Sequence, residues 1–170
     1  MLLDEIATIL NPFVQLSNTV RKQRHGRVMV DDSYDLDRFV AAQNDGDTYA
    51  RVTEELRRGR KTSHWMWFVF PQIAGLGQSP TSRTFTISSL DEAKAYLQHA
   101  VLGPRLLECA DSVSMTRGRT AEDIFGSIDA QKLHSSMTLF LRAAPDEPLF
   151  VQVLDQYFHG QPDSATDALL

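Results

Sequence analysis

The chain has 170 residues, 42% of them hydrophobic and 23% charged, with a formal net charge of -5. That length supports one full hydrophobic core and makes one domain the default. The acidic balance gives no general attraction to nucleic acid, so no nucleic-acid partner is expected, although a local basic patch can still hold a small anion.

Residues 1–34 read differently from the rest. Ile6, Ile9, Leu10 and Phe13 allow a short amphipathic turn or two. The basic cluster Arg21-Lys22-Gln23-Arg24-His25-Gly26-Arg27 follows, and the whole reads as an arm outside the folded core. The acidic start Met1-Leu2-Leu3-Asp4-Glu5 is unlike a secretory signal. No run approaches the length of a membrane span, and a cytoplasmic location is expected. A helical domain is expected over 35–170. Asp35 is placed to cap a helix bearing Leu36, Phe39 and Val40 on one face. Thr48–Arg58 reads as a second helix, ended by Gly59.

Next comes Ser63-His64-Trp65-Met66-Trp67-Phe68-Val69-Phe70-Pro71-Gln72. Ser63 can cap a short helix there, and a strand is the competing reading because Trp, Phe and Val favour it. Gln72–Thr86, with Gly75-Leu76-Gly77-Gln78-Ser79-Pro80, reads as a loop, and a loop of that length is often functional. Ser89 with Glu92 forms a capping-box pattern before Leu90–Gln98. Pro104 is suited to the first position of a helix over Arg105–Met115. Thr120 with Asp123 gives a second box. A helix over Ile128–Leu141 buries Leu133, Met137 and Phe140; a last long helix over Pro148–Phe158 has Phe150, Leu154, Tyr157 and Phe158 as anchors; Ser164–Leu170 adds a final turn. The sum is a mainly α, compact single-domain bundle of short helices, orthogonal rather than up-down, whose helices are too short to stand alone.

Several common chemistries lack their signatures. The histidines at 25, 64, 99, 134 and 159 have no His-x-x-x-His spacing, and no Cys-x-x-Cys, Walker loop or Gly-x-Ser-x-Gly elbow exists. No metal and no cofactor is implied. The single cysteine, Cys109, excludes an intrachain disulfide, fits a reducing compartment and reads as a buried hydrophobe. The strongest local chemistry is Arg60–Trp67. Arg60 and Lys61 can hold a phosphate, Ser63 offers a hydroxyl or a helix cap, and His64 can move a proton. Trp65 or Trp67 can stack on a base. The expected division sets Arg60, His64 and Trp65 toward a cleft and Trp67 or Phe68 in the core; the bland alternative puts the whole run in the core. A second constellation is Asp129, Lys132, His134 and Ser136, where Asp129, Lys132 and Ser136 share one side of a helix. Asp129 can simply pair with Lys132, or, beside a pocket, can orient water or stabilise developing positive charge on a ribose; Glu108, on its own helix, is in the same way either a surface residue or an acid. Arg117-Gly118-Arg119 is a basic turn with some capacity for an anion.

From Asp35 to Leu170 the chain resembles a small bacterial family of unknown function, also found in some fungi and sometimes labelled calpastatin. The likeness rests on Asp37-Arg38-Phe39-Val40-Ala41-Ala42-Gln43, on Ser63–Gln72, on Gly75-Leu76-Gly77, on Leu102-Gly103-Pro104-Arg105-Leu106 and on Lys132-Leu133-His134-Ser135-Ser136-Met137. It implies a mostly helical fold and no activity, and nothing in these residues supports the calpastatin label. His99-Ala100-Val101-Leu102-Gly103-Pro104-Arg105-Leu106-Leu107 leading to Ile124-Phe125-Gly126 is similar to the NADAR domain, which is linked to ADP-ribose and N-glycosidic bond hydrolysis. That likeness carries no catalytic residue across and implies only a substrate class.

Three functions follow as expectations. One is hydrolysis of an N-glycosidic bond in a phosphorylated ribosyl or ADP-ribose-related compound. There Arg60, Lys61, Ser63, Trp65, Trp67 and Lys132 bind the ligand and Asp129, Glu108 and His64 carry the chemistry. The second is a non-catalytic module for a nucleotide-like molecule or a peptide, and the third a structural protein, monomeric or homodimeric.

Overall fold

The computed structural model describes residues 33–170; the arm expected over 1–34 lies outside them apart from its last two residues. Among the described residues ten helices run in chain order: α1 Asp37–Asn44, α2 Thr48–Arg57, α3 Met66–Val69, α4 Pro80–Thr84, α5 Leu90–Gln98, α6 Leu102–Met115, α7 Ala121–Phe125, α8 Ser127–Ala143, α9 Pro148–Phe158 and α10 Ser164–Asp167. The only pairing resembling a sheet among the described residues is a single parallel bridge between Ile73 and Ile87.

α8 is the longest helix and packs against α5, α7, α9 and α10. Its Leu133, Met137 and Phe140 are fully buried, as the 3.6-residue spacing predicts. Phe39, Tyr96, Phe140 and Phe150 form a run of ring contacts through the same core. Val52, Leu56, Leu102, Leu106 and Leu154 close around it.

The helix ends follow local chemistry, with three departures from expectation. Asp35 does not cap α1: its backbone is left-handed at φ 51°, and its carbonyl accepts from the backbone and side chain of Arg38 instead. Ser89 does cap α5, but Glu92 does not reach back to it. The Glu92 carboxylate accepts from the backbone and hydroxyl of Ser88 and pairs with Arg38 at 2.7 Å, tying α5 to α1. α6 starts ahead of Pro104 because His99 Nδ1 accepts from the N–H groups of Val101 and Leu102, capping the first turn from outside. The turn is so close that a Cβ on Gly103 would lie 2.0 Å from the Leu97 carbonyl oxygen, so only glycine fits. The Thr120–Asp123 box is complete, and Pro148 opens α9 as expected.

The expected loop over 72–86 contains α4. Ser79 caps it by accepting from the Ser82 backbone, and Pro80 occupies its first turn. None of its residues is buried, so it carries no apolar periodicity to betray it. The loop's base is fixed where Ile87 donates to the Gln72 carbonyl and Ala74 donates to that of Ile87.

Candidate functional site

The segment 60–67 is organised by a residue that the sequence does not advertise. Glu55, on α2 and only 7% exposed, accepts five hydrogen bonds. They come from the backbone and hydroxyl of Thr62, the backbone and hydroxyl of Ser63, and Nε1 of Trp65. Burial pushes this carboxyl up, but the donors outweigh it and hold it down at about 2. Ser63 is therefore committed to Glu55 and is not the cap of α3, whose N-cap position is Trp65 with no side-chain cap. The anion-binding helix start expected at Ser63 is absent.

The expected division of the two tryptophans is reversed. Trp65 is 1% exposed and packs against Phe70 and Phe125. Trp67 is half-buried and lines a cleft. The reason is the backbone path: the Glu55 anchor pulls the Trp65 indole inward, and one short helical turn carries Trp67 around to the side that faces α8.

That cleft has a volume of about 650 Å³ and lies between the 72–86 loop and α8, with the start of α10 at one end. Trp67, Gln72 and Leu76 form one side; Gln131, Lys132 and His134 form the other. Exposed Ile128 stands at its lip. Lys132 Nζ sits 4.2 Å from the centre of the Trp67 ring, a cation–π contact joining the two walls.

Behind this contact lies an ion cluster. Asp129 bridges two lysines, with Oδ1 2.8 Å from Lys132 Nζ and Oδ2 2.7 Å from Lys61 Nζ. Burial alone would raise the Asp129 carboxyl; hydrogen bonds from both ammonium groups outweigh it and keep it below the usual carboxylate range. The Lys61 side chain is only 8% exposed, its ammonium lies 5.2 Å from the Trp65 ring, and its backbone N–H donates to the Ile124 carbonyl. Lys61 is thus a link between core and cleft rather than an open phosphate ligand.

The other candidates lie elsewhere. His64 is exposed and lines a second cleft of about 390 Å³ with Ser63, Phe68, Asp45 and Arg51. Trp65 also borders that cleft but is itself buried. Arg60 is exposed and lines neither cleft. Glu108 is on α6, where its carboxylate accepts from the Tyr49 hydroxyl at 2.5 Å. The pocket in which Arg60, His64, Trp65 and a carboxylate would meet is not formed. Cys109 is buried, and burial pushes its thiol up to about 12, which leaves it a small hydrophobe.

Glu55 carries no motif in the sequence that marks it as the organiser of this segment. Its one signal is a carboxylate on the apolar face of α2, between Val52 and Leu56 in helical spacing and eight residues before a Ser-His-Trp string. Among the described residues no group of His, Cys, Asp and Glu is arranged to hold a metal ion. Among them, too, no helix is long and apolar enough to cross a membrane.

Comparison with known proteins fits this picture of a defined fold without an assigned reaction. No curated protein matches the chain. The crystal structure of a conserved hypothetical protein from Mycobacterium tuberculosis is similar at 55% sequence identity, with a TM-score of 0.79, covering 82% of this chain and 98% of that one. The model of the family described as "Protein of unknown function (DUF1810)" matches residues 33–170, and the chain belongs to that family.

Proposed function

We propose that the cleft between the 72–86 loop and α8 binds a phosphorylated ribosyl compound of the ADP-ribose class. The observation that carries this reading is the charge arithmetic behind Trp67. Lys61, Asp129 and Lys132 together hold two positive charges and one negative, leaving one net positive charge. Only Lys132 of the three reaches the cleft wall. An ammonium held by an ionised carboxylate, with an aromatic ring beside it, suits a phosphate next to a flat base or sugar face. The volume falls inside the range of roughly 300–1,000 Å³ usual for small-molecule sites. The likeness of His99–Leu107 to the NADAR domain supports the same substrate class.

Hydrolysis of the N-glycosidic bond is the catalytic form of this reading. Asp129 is its acid candidate, held behind the cleft wall at 2.8 Å from Lys132 Nζ, whereas Glu108 is paired with Tyr49 on α6 and touches neither the cleft nor its lysine. Both Asp129 oxygens already accept from ammonium groups, which weakens it as a stabiliser of developing positive charge. Binding without turnover is therefore the better-supported form. The test is a titration of the protein with ADP-ribose followed by tryptophan fluorescence, with nucleobase release from NAD measured in parallel. Saturable binding without release supports a binding module; release above background that is lost in Asp129→Asn supports the hydrolase. No binding of ADP-ribose, NAD or ADP at millimolar concentration would remove the reading.

A further inference from the structure

His134 stands in the cleft wall with its ring fixed on two sides. The imidazole stacks on Phe158 at 4.2 Å between ring centres and 3° between planes. Its Nε2 lies 2.7 Å from the Gln161 backbone carbonyl oxygen. A carbonyl oxygen only accepts, so Nε2 must carry the hydrogen, and in the neutral ring Nδ1 is left with a lone pair. Among the described residues no donor satisfies that lone pair. Such a ring is a preoriented acceptor, not a floppy surface histidine.

The helix geometry sets what it can meet. At about 100° per residue, Lys132 and His134 stand roughly 160° apart the short way around α8, at opposite edges of the face that lines the cleft. Ile128, Gln131 and Ser135 fill the arc between them. The span across a helix with its side chains is on the order of 10 Å. One edge offers an ammonium, the other an acceptor.

We infer that His134 Nδ1 accepts a hydrogen bond from a sugar hydroxyl of the bound ligand, while Lys132 holds its phosphate, so the cleft selects ribosyl phosphates over bare phosphates. This rests on the proposed cleft and adds the group that tells a ribosyl compound from inorganic anions. An ionised phosphate brings only acceptors and cannot satisfy the neutral Nδ1. A hydroxyl can, and a phosphoribosyl unit has the reach that pyrophosphate lacks.

Two measurements on the full chain test this. Long-range proton–nitrogen NMR spectra of the wild-type protein report the tautomer directly. The expected result is a protonated Nε2 and an unprotonated Nδ1, with Nδ1 shifting on saturation with ADP-ribose and not with pyrophosphate. The second is affinity in His134→Gln, whose amide can still donate to the Gln161 carbonyl but has no acceptor at the Nδ1 position. ADP-ribose should bind about tenfold more weakly, the loss of one hydrogen bond, with pyrophosphate affinity unchanged. A protonated Nδ1 in the neutral ring overturns the inference outright. So does an unmoved Nδ1 while Trp67 fluorescence reports ADP-ribose binding, and in that case the cleft stands without it. If ADP-ribose moves neither Trp67 nor His134, the nucleotide reading fails and this inference falls with it.

Discussion

Two carboxylates hold the segment that carries both tryptophans, and they do so in opposite ways. Glu55 is satisfied by five neutral donors, two of them backbone, and faces no cleft. Asp129 is satisfied by two ammonium groups, one of which lines the large cleft. The first arrangement consumes every partner inside the fold. The second leaves a net positive charge beside the cleft that Lys132 lines. Burial and hydrogen bonding alone make Glu55 a fastener; the residual charge makes the Asp129 cluster the place to look for a ligand.

The sharpest way to break this contrast is to remove each carboxylate. Glu55→Ala strands the hydroxyls, amides and indole N–H that it collects, and should cost about 2–3 kcal/mol in urea unfolding, the range for losing hydrogen bonds to a charged group and leaving buried neutral donors unpaired. A loss under 1 kcal/mol would deny Glu55 its fastening role. Its titration sharpens the point. The folded carboxyl sits at about 2, below its ordinary 4.5. The stability that it contributes is therefore full above 4.5 and is lost as pH falls toward 2. Glu55→Gln should flatten the unfolding free energy across that window relative to wild type; an unchanged slope would assign the acid sensitivity to other groups.

On the other side of the comparison, Lys132→Ala should weaken ADP-ribose binding by about 10- to 100-fold, the worth of one charge-assisted hydrogen bond. Asp129→Asn is more discriminating. It raises the net charge of the cluster, so anion binding should be kept or tightened by a few-fold, while any nucleobase release that needs the carboxylate should vanish. Weakened binding in that variant would mean that Asp129 acts by positioning Lys132 rather than through charge. The smallest effect is expected from His64→Ala, in the second cleft, which should leave ADP-ribose affinity unchanged within twofold.

Much of the fold was legible because it rests on local rules. Thr120 with Asp123, Pro148 before an apolar run, and the spacing of Leu133, Met137 and Phe140 each state their structure within a few residues. α4 was hidden because it buries nothing, although its Ser79-Pro80 start is a recognisable cap. The site was legible in part. Lys132 and Asp129 declare themselves by helical spacing, and Trp67 by its neighbourhood. Which tryptophan faces the cleft was not, because the choice is made by Glu55 from another helix, ten residues upstream of Trp65. Nor was the role of Lys61, which turns on a contact with Asp129 across 68 positions of chain. The fixed tautomer of His134 depends in the same way on a carbonyl 27 residues away.

On this reading Trp67 and Lys132 face a ligand while Trp65 does not. Tryptophan fluorescence titrations with ADP-ribose on wild type, Trp67→Phe and Lys132→Ala test it most directly. The expected result is a saturable change in wild type, its loss in Trp67→Phe, where the buried Trp65 alone reports, and a shift to higher ligand concentration in Lys132→Ala. A signal that survives Trp67→Phe with unchanged affinity in Lys132→Ala would contradict it.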